Sequence, residues 1–229
     1  MTMLFSTQEQ FVSAVDNLYF HQLLDCMTYF GISASTEYVI SDDGTKFLLP
    51  CDNRDVLGID WRECPSLRIV LPDDMSRCGL SYTNTFKYAN VLTNGNNEFY
   101  FGDEHISTNG MFEGVIFKHF EYGLTIRDSA LDVKSMFHRS SGLLCVTFKN
   151  CELSGFDNLF TNSNVRYVIF ENCSNDEALR DNYRVASNVF NCDMTRVTLK
   201  SCEPDFVATT IAMFNGVDNF RNLEIEILD

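Results

Sequence analysis

One nine-residue phrase occurs three times in this chain, as LLCVTFKNC (143–151), VRYVIFENC (165–173) and MTRVTLKSC (194–202). Each copy sets apolar residues at matching places and ends in cysteine: Leu143, Val146, Phe148, Cys151; Val165, Val168, Phe170, Cys173; Met194, Val197, Leu199, Cys202. Alternating apolar residues describe a short strand with one buried face, and the small residue beyond it turns the chain out of the sheet. A chain that repeats one strand and its exit folds as a stack, because each unit can bury its apolar face only against its neighbours.

Weaker copies extend the series through Leu124, Ile126 and Ser129, through Leu223, Ile225 and Leu228, and upstream through Phe99 and Phe101 and then Cys64, Leu67, Ile69 and Pro72. A second mark precedes the strands, an apolar residue followed by Phe at Met111-Phe112, Met136-Phe137, Leu159-Phe160, Val189-Phe190 and Met213-Phe214, with Phe86 as a sixth. These phenylalanines recur about every 23 to 30 residues, the period of a solenoid. The line apolar-x-x-apolar-x-apolar-x-x-Cys resembles the L-x-x-L-x-L-x-x-N/C of leucine-rich repeats. Val189-Phe190-Asn191-Cys192 leading into Val197-Thr198-Leu199, together with Cys64 to Pro72, resembles the irregular BspA-type branch, over roughly residues 60 to 229. The resemblance implies an α/β-type or mostly β solenoid with parallel strands, and protein binding on the sheet face. A pentapeptide-repeat β-helix is the structural alternative, since TFKNC followed by ELSGF mimics its five-residue beat, which fails within a dozen residues.

In such repeats the terminal Asn or Cys points inward at the corner, so the resemblance implies a buried ladder of Cys151, Cys173 and Cys202. A metal site and disulfides are the alternatives. Against them stand the absence of C-x-x-C pairs and the poor disulfide geometry of stacked parallel side chains. Ahead of the solenoid, residues 1–31 read as an amphipathic helix that caps the first coil: Ser6-Thr7-Gln8-Glu9 is a capping box, and Phe11, Val15, Leu18, Leu23, Met27 and Phe30 follow at helical spacing. Residues 32–60 connect it to the solenoid at 61–229. The last strand, Leu223 to Ile227, shows no cap, which makes a homodimer or a covering partner an expectation.

Thirty-two acidic residues against 17 basic give a net charge of −15, which disfavours direct binding to nucleic acid or an anionic membrane and favours a basic partner. No secretory signal and no membrane-length apolar run is visible, and nine cysteines without tight pairing fit a reducing, cytoplasmic setting. Phosphate-loop, dinucleotide, zinc-protease and nucleophile-elbow motifs are absent, so the reading is a non-enzyme with no catalytic residue, metal or cofactor. His21, His105, His119 and His138 are scattered, with His138 alone set to face a cysteine across the core. The acid pairs lack the alternating ligands of a calcium loop. A Cys/His or carboxylate hydrolase is the remote alternative.

Residues between the inward strand positions point out onto the sheet face. One expected column reads Tyr100, Thr125, Thr147, Ile169, Thr198, Glu224; a second reads Gly102, Arg127, Lys149, Glu171, Lys200, Glu226; a third holds Tyr167 and Arg196. Tyr100, Arg127, Lys149, Tyr167, Ile169, Arg196 and Lys200 are the partner-binding candidates on this face, unless Lys and Glu merely pair across strands. The residues that follow the strands are Asp73, Asp74, Asp103, Glu104, Asp128, Glu152, Asp176, Glu177, Glu203 and Asp205, expected as an acidic lip along the solenoid. The expected function is a non-enzymatic protein-binding module that occupies the basic cleft of a nucleic-acid-handling protein, as a nucleic-acid mimic of the viral anti-defence kind does. A generic scaffold whose acid serves solubility is the alternative.

Overall fold

The computed structural model describes residues 97–176, 192–215 and 223–229, with 83–84, 86–92 and positions 71, 75 and 189, and the backbone of four strands at 2–5, 38–41, 46–48 and 68–70. The expected helix following Ser6 lies outside the described residues. The strands are β1 (Thr2–Phe5), β2 (Tyr38–Ser41), β3 (Lys46–Leu48), β4 (Arg68–Val70), β5 (Asn90–Leu92), β6 (Glu98–Tyr100), β7 (Ile106–Ser107), β8 (Ile116–Lys118), β9 (Leu124–Arg127) and β10 (Ala130–Asp132). They continue as β11 (Cys145–Lys149), β12 (Glu152–Ser154), β13 (Tyr167–Glu171), β14 (Ser174–Asn175), β15 (Arg196–Lys200) and β16 (Glu224–Leu228), with a helix α1 (Pro204–Asn215) before the last.

These strands build a β-solenoid of about four turns with little helix. The repeated phrase forms the principal sheet, ordered β6-β9-β11-β13-β15-β16, every pair parallel. A second sheet, β7-β10-β12-β14, is also parallel. A third, β1-β2-β3-β4-β5-β8, is antiparallel up to β3 and parallel from β3 onward. Among the described residues no helix is long and apolar enough to cross a membrane.

Turning the chain at the same place in every coil needs residues that tolerate left-handed backbone. Asp128, Asn150, Asn172 and Ser201 have φ of 51°, 53°, 52° and 51° at the exit of the principal sheet. Asn84, Gly110, Ser135 and Asn158 do the same in the turn that carries the second sequence mark. At Gly142 (φ 79°) there is a second reason, because a Cβ would collide with the Phe117 carbonyl oxygen of the preceding coil.

The core is the expected phenylalanine column. Phe86, Phe112, Phe137 and Phe160 are fully buried and stack coil on coil, with centroids 6.2, 5.6 and 5.7 Å apart. Phe148 stacks on Phe170 at 5.5 Å and 10° on the other side of the core. In the last coil α1 takes the place of a second-sheet strand, and Phe206 closes edge-on against Phe170 at 5.2 Å. Pro204 suits the first helical turn and Asp205 the positive end of the helix. Met213-Phe214, expected as one more apolar-Phe mark ahead of a strand, instead falls within this helix.

The register corrects two of the expected columns at their ends. Tyr100 pairs with Arg127, not Thr125, while Glu224 pairs with Arg196 and Glu226 with Thr198. The outward columns are therefore Tyr100, Arg127, Lys149, Glu171, Lys200, Leu228 and Glu98, Thr125, Thr147, Ile169, Thr198, Glu226. Phe99 and Phe101 are both buried, so either of two registers, a two-residue shift apart, satisfies the pattern, and pairing of Phe99 with Ile126 selects one.

Candidate interaction surfaces

The cysteine rungs form at the corner between the principal and second sheets. Cys151 donates toward the carbonyls of Ile126 (3.5 Å) and Lys149 (3.3 Å), Cys173 toward Phe148 (3.3 Å) and Glu171 (3.5 Å), and Cys202 toward Phe170 (3.2 Å) and Lys200 (3.5 Å). Ser129 takes the same place one coil earlier, donating to the Arg127 carbonyl at 2.7 Å and accepting from the Phe101 amide at 3.0 Å. The Lys149, Glu171 and Lys200 carbonyls also accept backbone amides, from Asp128, Asn150 and Asn172, so the rungs add a second bond to corner oxygens that are already paired. Burial pushes the Cys151 thiol up to about 11 and raises that of Cys173 as well. Half-buried Cys202 is lowered, chiefly by its hydrogen bond with the Cys173 thiol.

Outward from the rungs runs an amide ladder: the Asn172 Nδ2 donates to Asn150 Oδ1 at 3.0 Å, and the Asn150 Nδ2 donates to Asp128 Oδ1 at 2.7 Å. That bond and the Arg127 guanidinium at 2.7 Å hold the Asp128 carboxyl below its usual range.

On the principal sheet the charged candidates engage one another. Lys149 and Lys200 flank Glu171 at 3.3 and 3.4 Å, and these bonds lower its pKa although burial opposes them. Arg127 reaches Glu98 at 3.2 Å and lies over the Tyr100 ring, whose hydroxyl donates to Asp103 at 3.0 Å. Arg196 binds Glu224 at 2.8 Å. Tyr167 is left 44% exposed and Ile169 half-buried. Two residues that sequence reasoning missed are also exposed, Tyr122 at 93% and Leu144 at 53%; the Leu144 carbonyl accepts from the Tyr167 amide, and Leu144 lines an open cavity of about 420 Å³ with His119, Glu121 and Asn164. Their only sequence signal is an apolar side chain just before the strand, at a place the repeat does not bury.

The acidic candidates share the corner but not one column. Asp128 heads the amide ladder. Glu152 stands in register with Ala130 and Ser174, and Glu203 continues that column through its amide bond to the Cys173 carbonyl. Asp176 follows β14 and meets His105 at 3.1 Å. Asp103 and Glu104 are exposed on a longer exit, five residues (101–105) where the next coil uses three (128–130). Asp205 opens α1, while Asp73, Asp74 and Glu177 lie outside the described residues. The expected single ridge is a broader acidic surface, since equivalent positions alternate between acids and small polar residues. Over 101–107, 128–134, 150–155, 172–176 and 201–205 the acids are Asp103, Glu104, Asp128, Asp132, Glu152, Asp176, Glu203 and Asp205, and the only Lys or Arg is Lys134.

His138 does not face a cysteine. It is half-buried on the turn, with Nδ1 3.7 Å from Glu113, which also takes Lys87 at 2.8 Å; burial lowers its pKa. His105 approaches both Asp176 and the Ser154 hydroxyl, each at 3.1 Å and both through Nε2. A nucleophilic triad needs acid and serine on separate ring nitrogens, and Ser154 is buried, so this group ties coils together. Among the described residues no group of three or more His, Cys, Asp or Glu side chains is placed to hold a metal ion. Comparison of the chain with protein-family models, with curated proteins and with solved structures finds no match.

Proposed function

We propose that this chain is a non-enzymatic interaction module, an irregular leucine-rich-repeat solenoid whose acidic corner binds a basic protein. One observation carries the reading: cations on the principal sheet are consumed by neighbouring carboxylates, whereas the corner and second sheet hold eight acids and one lysine. Such a surface attracts a cationic partner over roughly a Debye length, about 8 Å at physiological salt. The repeat assignment rests on one strand, one left-handed corner residue and one inward Cys or Ser per coil. Blockade of the basic cleft of a nucleic-acid-handling protein is the most specific form, because a surface dense in carboxylates attracts the same cationic groups that hold a phosphate backbone.

The test is affinity capture from a nuclease-treated lysate with wild-type protein and with the triple variant Asp103→Lys, Glu104→Lys, Glu152→Lys. The expected result is a basic partner retained by wild type, released by raised salt and lost with the variant. A partner indifferent to the variant overturns the corner and assigns the acid to solubility. A second reading then gains weight, in which Tyr122, Leu144 and Tyr167 form the centre of the interface, as exposed aromatic and aliphatic residues do elsewhere.

A further inference from the structure

Among the described residues, β16 is the outermost strand of the principal sheet and pairs with β15 alone. The amide of Glu224 bonds to the Thr195 carbonyl and the carbonyl of Leu228 accepts from Ser201, so the backbone N–H and C=O groups of residues 224, 226 and 228 point toward β15. By alternation the N–H and C=O groups of Ile225 and Ile227 face the open edge. Those two residues occupy the inward columns of Val197 and Leu199, which are 0% and 1% exposed, yet stand 36% and 53% exposed themselves. The edge therefore presents unpaired backbone and the cut end of the core together.

Charge specifies what fits. Inside the sheet Glu171 lies between two lysines, one in each neighbouring strand. Among the described residues, Glu224 has a cation, Arg196, on one side, and Glu226 has the Thr198 hydroxyl at 3.5 Å and no cation. We propose that the free edge of β16 takes an extended segment of a partner protein as an added strand, with basic residues outward beside Glu224 and Glu226 and apolar residues inward over Ile225 and Ile227. Backbone pairing supplies the general attraction and the alternation of basic with apolar side chains supplies selectivity. A second copy fits less well, since two-fold antiparallel pairing of EIEIL sets Glu226 against Glu226. This surface is separate from the acidic corner.

The probe is an acetylated, amidated peptide of about seven residues alternating lysine and valine, with a glutamate–valine counterpart as control. Fluorescence anisotropy should show saturable binding of the lysine peptide and at least about tenfold weaker binding of its counterpart. Hydrogen exchange on wild type should show new protection at the Ile225 and Ile227 amides, a readout that needs no mutation. Ile227→Pro removes one edge donor without touching the β15 ladder and should weaken binding about tenfold; the corner triple variant should bind the peptide as wild type does. The proposal is overturned if no peptide binds, if both peptides bind alike, if protection appears elsewhere, or if binding falls with the corner variant while Ile227→Pro leaves it intact. A concentration-dependent dimer of wild type that Ile227→Pro abolishes would assign the edge to a second copy and overturn it equally.

Discussion

The coils from β9 to β13 and the coil from β15 to β16 start from the same strand and finish differently. In the first, Ile126, Phe148 and Phe170 stand in register 22 residues apart, fully buried, with a second-sheet strand beneath each. In the last, α1 replaces that strand, the spacing lengthens to 28 residues, and Ile227 ends the same column half in solvent. Position in the stack, more than residue type, decides what an apolar side chain contributes, because burial comes only from the coil on each side.

The sharpest way to break this comparison is to truncate both ends of the column. Phe148→Ala empties a site packed at 5.5 Å against Phe170 and should cost about 3–5 kcal/mol in denaturant unfolding. Ile227→Ala removes groups already half exposed and should cost less than about 1 kcal/mol. An equal loss at Ile227 would mean that the edge is covered in solution.

The second test concerns the corners. Asn150 holds φ 53° and joins Asp128 to Asn172 through its side chain. Asn150→Ala should lose about 1–2 kcal/mol for the left-handed backbone and more for the broken ladder, while Asn150→Gly should recover the backbone part. Equal losses would place the whole effect in the amide ladder. No such ladder exists at Ser201, so Ser201→Gly should be close to neutral.

These two tests also mark what the sequence made legible. Strands β11, β13 and β15 and their cysteine rungs were readable because alternation and a terminal Cys coincide in all three. The registers of β6 and β16 were not, because Phe99 with Phe101, and Leu223 with Ile225 and Ile227, share one face and allow two registers a two-residue shift apart, which only pairing separates. Helix α1 was hidden by Thr209 and Thr210, β-branched residues whose hydroxyls bond back to the Asp205 and Phe206 carbonyls. The acidic corner was visible as composition. Its spread over several columns was not, because acids alternate with small residues at equivalent positions, as in Ala130, Glu152 and Ser174, and because Asp103 and Glu104 sit on the longer exit after β6.

The smallest perturbation changes no residue and compares one rung with another. An alkylating reagent attacks the thiolate, so reactivity follows exposure and thiol pKa together. Cys151 and Cys192 are pushed up to about 11 by burial and Cys173 is raised as well, whereas Cys202, in the coil that α1 closes, is lowered by its hydrogen bond with Cys173. For Cys202 the sign is that the thiolate gains population as pH rises through a value below that of an ordinary thiol, so labelling should level off at lower pH than for a free cysteine. Peptide mapping after brief alkylation of native protein should find Cys202 modified well before Cys151, Cys173 and Cys192, which should wait for unfolding. Cys173→Ser tests the cause, because a hydroxyl partner bonds the Cys202 sulfur differently and should move the pH at which its labelling levels off while leaving Cys151 slow. If all the rungs label at one slow rate, the last coil is as closed as the inner ones, and the open edge at β16 would need a cover that reaches Cys202.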